Sequence, residues 1–431
     1  MVVLVIKNFI YQTLYKIATV LKPVLIKILP KGVRQQVKNK LLHLATSNMN
    51  KSYNNLEDQH CHGINLVGYS RAEMGIGESC RIAARSIDAA DIPFGIINFK
   101  GTSSARMSDL SWAHKEMGTS QYDINLIHVN AEQMKDIYTY FGSGLFQNRY
   151  NIGVWHWELP DFPDEWLDSF NLVDEIWAPS TFIADAISLK SPVPVIKIPH
   201  SIEVNVLEPR SRAYYNLPSE SFLFLTMYDI NSFEERKNPR ASLEAFKRAF
   251  EPNDVHVGLV VKVNGLHGKP KEMEQLNELL SNYTNIYFVK ETLSRNDTNA
   301  LIASCDCFIS LHRSEGFGLG LAEAMYLGKP AIGTNWSSTT DFMKNNNSCL
   351  VDYELVNVMN DFGPYKAYQK WANPDIEHAS FYMKKLVEDQ EYYCSIANKG
   401  KKYIREHYSP KVVGEMMKKR ISYINLGVHG G

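Results

Sequence analysis

Between residues 60 and 335 the sequence returns again and again to short runs of Ile, Val and Leu separated by helix-length segments. "GINLVGY", "PFGIINF", "INLIHVN", "NIGVWHW", "VDEIWAPS" and "VPVIKIPHS" form one series; "FLFLTMYD", "VHVGLVVKVNG", "NIYFVKE", "CFISLH" and "PAIGTN" form another. Runs that are apolar on both faces have no side to turn to water, so they predict strands of parallel sheets covered by helices. The polar, proline-containing stretch "IEVNVLEPRSRAYYNLPSES" breaks the rhythm near 201–221. The pattern predicts an α/β chain of two doubly wound parallel-sheet units. Ligands of such sheets lie beyond the carboxyl ends of the strands, so two of them place a site in the cleft between. The expected division is an arm over 1–58, a first unit over 59–205, a second over 206–408, and a helix over 409–431. No strand follows that last helix, so it is expected to cross back to the first unit.

Charge separates the arm from the body. Residues 1–56 hold nine Lys and Arg and no acid, while the remainder carries 37 basic residues against 47 acidic. A net of −10 on the body excludes a nucleic-acid binder of the basic-patch kind. In the arm, lysines interrupt the apolar residues too often for a spanning helix or a cleaved leader. Lys31, Arg34 and Lys38 share one helical face. Residues 1–45 fit an interfacial anchor on an anionic membrane; a helix packed on the body or a helical dimer contact would use the same residues. The six cysteines show no CxxC and no zinc spacing, so no metal site is expected, and a reducing cytoplasm fits them best.

"RSEGFGLGLAEAMYLGKP" carries the most chemistry. It follows the strand "CDCFISLH", and a helix closing at Gly328 before Pro330 follows it. Gly316 and Gly318 let backbone N–H groups approach a ligand at the start of a helix, where negative or hydroxyl-rich groups are favoured. Glu315 ends the loop, and Glu323 sits about one turn inside the helix. Two carboxylates so placed suit hydroxyls at the two ends of a sugar nucleotide; the alternative is a turn whose glutamates are merely solvated.

The E-x7-E spacing within "EGFGLGLAEAMYLGKPAIGT" resembles the signature of the retaining glycosyltransferases of family 4, which include bacterial polysaccharide-type hexosyltransferases. Their fold is GT-B, two Rossmann-like domains facing a central cleft. The resemblance covers most of 62–425 and leaves the arm aside. It implies that Glu315 contacts the transferred sugar, helped by the backbone of Gly316, Phe317, Gly318 and Leu319, and that Glu323 holds the ribose. The family usually has a proline shortly before the second glutamate; Gly320 and Leu321 stand there instead, and Gly320 is expected to loosen the loop.

"MYDINSFEERKNPRASLEAF" supports this from a second segment. Arg236 and Lys237 lie just ahead of a helix starting near Pro239, where an anionic diphosphate would sit. The resemblance makes them the basic pair that neutralises the leaving diphosphate, with Ser232 adding a hydrogen bond; otherwise they are a solvated surface. In the first unit, "GYSRAEMGIGESCR" is glycine-rich, but Cys80 takes the place of a packing glycine and the next strand ends without a ribose-binding acid, which excludes a hydride-transfer fold. Gly75 and Gly77 are expected to admit donor phosphates or acceptor. "NIGVWHWELPDFPDEW" supplies His156, the family's sugar-contacting histidine by resemblance, and Glu158, which would orient the acceptor hydroxyl or act near the anomeric centre. Aromatic core with a satisfied histidine is the alternative there. His128 is a further candidate, and His200 is expected to be structural.

The resemblance thus implies a transferase that moves a hexosyl unit from a nucleoside-diphosphate sugar to a hydroxyl of a glycan or lipid-linked saccharide. It implies retention by front-face displacement, with no metal or cofactor. The expected setting is cytoplasmic, peripheral on the inner face of the plasma membrane. Two rivals use the same fold: a non-catalytic partner subunit that binds sugar nucleotides or glycans, and another GT-B enzyme such as a phosphorylase or epimerase.

Overall fold

The computed structural model describes residues 10–46 apart from 12, 16, 19 and 20, then 60–101, 105–230, 232–265 and 282–428. Residues 1–9 and 47–58 of the arm, and residue 59, therefore lie outside the described residues.

Strands β1 (Cys61–Gly68), β2 (Phe94–Asn98), β3 (Tyr122–His128), β4 (Tyr150–Val154), β5 (Glu175–Ala178) and β6 (Val195–Lys197) form one sheet. Its order is β2-β1-β3-β4-β5-β6, and every pairing is parallel. Strands β7 (Phe222–Asp229), β8 (Val257–Asn264), β9 (Ile286–Val289), β10 (Cys307–Ser310), β11 (Ala331–Thr334) and β12 (Cys349–Val351) form the second. It runs β12-β11-β10-β7-β8-β9, again all parallel. The strand order reverses between β1 and β3 in the first sheet and between β7 and β10 in the second. Loops leaving those strands diverge to opposite faces and open a crevice at each sheet's carboxyl edge.

Polar residues fix the register of the first sheet. Asn65, Asn125 and Asn151 face one another on β1, β3 and β4, all fully buried. Asn65 Nδ2 donates to Asn125 Oδ1 at 2.9 Å, and Asn125 Nδ2 donates to Asn151 Oδ1 at 2.8 Å. A slip of one residue would bury these amides unpaired, at about 1–3 kcal/mol each. Helix α3 (Gly75–Ala89), numbered after α1 (Lys22–Ile28) and α2 (Lys31–Ala45) of the arm, and the 19-residue helix Pro410–Val428 cover one face of this sheet. Gly414 permits their close approach: a Cβ there would lie 2.1 Å from the Ser86 carbonyl oxygen. The last helix is also tied by Arg420, whose Nε lies 2.9 and 3.0 Å from the two carboxylate oxygens of fully buried Glu175.

The second unit carries something the apolar rhythm does not announce. β13 (Tyr353–Asn357) and β14 (Lys370–Pro374) pair antiparallel, and the loop between them reaches the first unit. Gln369 Nε2 donates to the Asp161 carbonyl at 2.8 Å, and Tyr368 OH donates to its carboxylate at 3.0 Å.

The arm includes α1 (Lys22–Ile28) and α2 (Lys31–Ala45). One side of it is seated on α4 (Met134–Phe141) of the first unit, where buried Tyr15 donates to Asp136. Lys38 reaches the same carboxylate at 3.1 Å. Lys38 is thus turned toward the body, where an outward-facing basic stripe would leave it in solvent. Among the described residues no helix is long and apolar enough to cross a membrane.

Candidate functional site

A cleft of about 390 Å³ opens where the two carboxyl edges meet. From the second unit it takes the loops after β7 and β10, which the strand order makes neighbours. The β7 loop includes the short helical turn Glu234–Lys237, with Phe233 and Asn238 in the left-handed region at φ 58° and 51°. It is tied to the β10 loop by Arg313 N–H on the Arg236 carbonyl at 2.8 Å and Asn238 Nδ2 on the Leu311 carbonyl at 3.0 Å.

Lys237 Nζ donates to Glu315 Oε1 at 2.6 Å. Arg236 is 5% exposed; its guanidinium donates to the Ser314 carbonyl at 2.8 Å and lies 3.6 Å from the other Glu315 oxygen. Burial alone would push the Glu315 carboxyl up, yet Lys237, Arg236 and His312 together outweigh it and hold the carboxyl down at about 2. For Arg236, burial disfavours the charge, while Tyr365, Glu158 and Glu315 more than restore it. The Arg236 Nε is nevertheless buried without a hydrogen-bond partner among the described residues. Arg236 and Lys237 thus face two carboxylates, Glu315 and Glu158, and a bound anion would compete with these for both cations.

The glycine-rich loop is built as its spacing demands. Gly318 has φ 94° and caps the helix Leu319–Tyr326. Gly316 brings the loop against the first unit, since a Cβ there would stand 3.6 Å from Glu158 Cγ. Glu323 is buried inside the helix and ion-paired with Arg295. Phe317 lines the cleft but is 4% exposed, its ring set edge-on to His200 with centroids 5.0 Å apart. Gly320 does not loosen the loop. It lies within the helix, where a Cβ would meet the Phe308 ring at 2.7 Å, so its role is close packing.

The first unit contributes Glu158 and a group of imidazoles. Glu158 is held largely from across the cleft: Tyr365 OH donates to Oε2 at 3.0 Å, Arg236 lies 3.8 Å from Oε1, and Ser314 Oγ donates to its carbonyl. Tyr365 itself packs on Trp157, Phe233 and the Arg236 guanidinium. Three histidine Nε2 atoms converge on Ser79 Oγ: His128 at 2.6 Å, His200 at 3.1 Å and His156 at 3.2 Å. His156 and His200 also share a hydrogen bond of 2.9 Å. Burial pushes the His156 imidazole down to about 4 and the other two well below their usual value, so all three are neutral at pH 7. Neutral imidazoles at a cleft floor offer both a donor and an acceptor nitrogen to a hydroxyl. Among the described residues no group of three or more His, Cys, Asp or Glu is arranged to hold a metal ion.

Of the residues singled out in the sequence, Gly75, His156, Glu158, Ser232, Arg236, Lys237, Glu315, Gly316, Phe317, Gly318, Leu319 and Glu323 all line this cleft. Gly77 does not. A Cβ at Gly77 would fall 2.1 Å from the Ala72 carbonyl oxygen, so its bareness serves the turn into α3 rather than a ligand. His200 also departs from its expected structural role, because it forms part of the cleft wall with Ser79. Arg295, Asn130 and Asn264 line the cleft as well and stand outside the motifs, and so does Asp229, which lies within the basic segment but was not singled out there as a site residue. Their only sequence signal is position: Asp229 and Asn264 end strands β7 and β8, and Arg295 opens a helix capped by Ser294.

Comparison with known proteins bears on the fold that carries this cleft. Residues 211–357 match the family model "Glycosyl transferases group 1", a span that holds both the basic pair and the two glutamates. No curated protein matches the sequence. Among solved structures, Anabaena HepE in complex with UDP-glucose is similar at TM-score 0.60 and 14% identity, covering 84% of this chain and 100% of its own. A glycosyltransferase from Rickettsia africae reaches 0.61 at 13% identity, covering 85% and 99%. Sucrose-phosphate synthase from Thermosynechococcus elongatus reaches 0.61 at 12%, covering 88% and 99%. At such identities the likeness speaks for the fold, which is GT-B.

Proposed function

We propose that this chain is a retaining glycosyltransferase of the family 4 type, moving a hexosyl unit from a nucleoside-diphosphate sugar to a hydroxyl of a glycan or lipid-linked saccharide, without a metal. The observation that carries the reading is the Lys237–Glu315 pair at 2.6 Å in the cleft, with Arg236 behind it and Glu323 farther along the same wall. In the resting protein Lys237 neutralises Glu315. A bound diphosphate is the stronger partner for Lys237, and the exchange leaves Glu315 free to accept hydrogen bonds from the sugar hydroxyls. Glu323, paired with Arg295, receives the ribose.

The residues then divide the reaction between them. Lys237, Arg236 and the amino end of the helix Leu319–Tyr326 stabilise negative charge as it gathers on the departing diphosphate. His156 meets the transferred sugar, and Glu158, anchored by Tyr365, orients the acceptor hydroxyl. The leaving phosphate takes the acceptor's proton on the same face, so no second carboxylate is needed as base. Contacts between the units, such as Tyr365 on Glu158, exclude water from that step. The unpaired thiols, two of them exposed, support a reducing cytoplasmic setting.

A thermal-shift panel of nucleotide sugars tests this reading. One donor class is expected to raise the melting temperature of the wild type, since about 100-fold saturation adds roughly 2.7 kcal/mol. Glu323→Gln should weaken that shift. Lys237→Ala should weaken it too and slow turnover about 10²–10³-fold. The reading fails if no nucleotide sugar shifts the wild type.

A further inference from the structure

We propose that the uncovered face of the amino-terminal arm is a docking surface for an anionic phospholipid membrane. Ile10, Leu14, Ile17, Leu21, Val24 and Ile28 recur every three or four residues, the spacing of one helical face. Two hydrogen bonds of four-residue spacing tie the parts of this stretch together, Leu21 N–H on the Ile17 carbonyl and Leu25 N–H on the Leu21 carbonyl, both at 2.9 Å. Each of the six is between 44% and 68% exposed. The neighbouring side of the same arm is occupied, because Tyr15 is buried and bonded to Asp136 on α4. The arm is therefore fixed to the body by one side and presents an apolar strip with the other.

Charge selects the occupant. Residues 1–56 carry nine cations and no acid, and Lys27 and Lys40 are exposed within the described part. Lipid phosphates complement such a strip, each cation near the surface contributing about 1 kcal/mol. A second copy of the chain would bring nine more cations against the first nine, with no acid on either arm to relieve them. The apolar residues supply burial at the headgroup boundary, where a strip of this kind lies in the plane of the membrane.

The attachment point bears on the substrate. Asp136 lies six residues beyond Asn130, which lines the cleft and accepts the His156 backbone N–H at 3.1 Å. Docking by the arm would thus hold the first unit's wall of the cleft beside the lipid surface, the placement that a lipid-linked acceptor needs. That last step rests on the glycosyltransferase reading; the docking surface does not.

The full chain should co-sediment with phosphatidylcholine vesicles containing about 30 mol% phosphatidylglycerol, much less with phosphatidylcholine alone, and less at high salt. Leu14→Glu/Leu21→Glu should lower the bound fraction on anionic vesicles about tenfold or more. Lys27→Glu/Lys40→Glu, which leaves the apolar strip intact, should lower it less steeply. Absence of binding to anionic vesicles, or equal binding to neutral ones, would overturn the proposal. So would a wild-type dimer in light scattering that Leu14→Glu/Leu21→Glu turns into a monomer. A nucleotide-sugar thermal shift on the same sample separates the two readings, because vesicle binding does not depend on donor binding.

Discussion

A single hydroxyl, that of Ser79, stands at the meeting point of three imidazoles, and it holds one proton to share among them. The arrangement is stable only while the rings stay neutral. Unfolded imidazoles take up a proton near 6.5, whereas folded His156 does so only near 4, and His128 and His200 are held well below their usual value by burial and by His156. The unfolded chain therefore binds more protons on the acid side. The contribution of these rings is whole above about pH 6.5 and is lost as pH falls toward 4, at up to about 1.4 kcal/mol per pH unit for each ring. Urea unfolding at pH 7 and pH 5 measures that slope. His128→Gln is expected to make it shallower; an unchanged slope would assign the acid sensitivity elsewhere. His156 was legible because it follows an apolar strand at a tryptophan cluster. His200 was not, because the sequence does not say that the turn after β6 folds back onto α3.

Turns and helix starts are where the sequence spoke most plainly. Gly318 was expected to bring bare backbone to a ligand, and its φ of 94° is one that side chains with a Cβ rarely adopt. Gly320, two residues on, reads the same in one dimension and differs in three, since only the packed structure reveals Phe308 above it. Gly320→Ala should cost about 1–3 kcal/mol through overpacking in spite of alanine's better helix propensity. Equilibrium unfolding settles the sign: a more stable variant would mean that Phe308 moves aside freely. The strands themselves were legible from Ile and Val on both faces. The hairpin β13–β14 was not, because its strands are half exposed and lack that signal, and its clasp on Glu158 depends on Tyr365 meeting a residue 207 positions away.

At the scale of the molecule, two sheets made separately become one working unit through a few long-range ties. Arg420 on Glu175 is the most exacting of them, since the carboxylate is fully buried and also accepts from Trp177 Nε1 at 2.7 Å. Arg420→Ala would leave that charge without its cation, at about 3–5 kcal/mol. The double variant Arg420→Met/Glu175→Gln should recover much of the loss, and denaturant titration of the pair distinguishes a buried-charge penalty from lost helix packing. The two-unit plan was legible from the interrupted rhythm of the strands. How the units face each other was not, because their contacts join residues with no common sequence pattern.

The helix Pro410–Val428 has a further consequence for the order of events at the ribosome. The first sheet is complete in sequence by Lys197, yet one of its faces is closed by a segment synthesised more than two hundred residues later. Until Val413, Met417 and Ile424 emerge, Ile87 and its neighbours on α3 wait half covered. The nascent first lobe should therefore be a client for chaperones throughout the making of the second, and its native closure a late, post-release step.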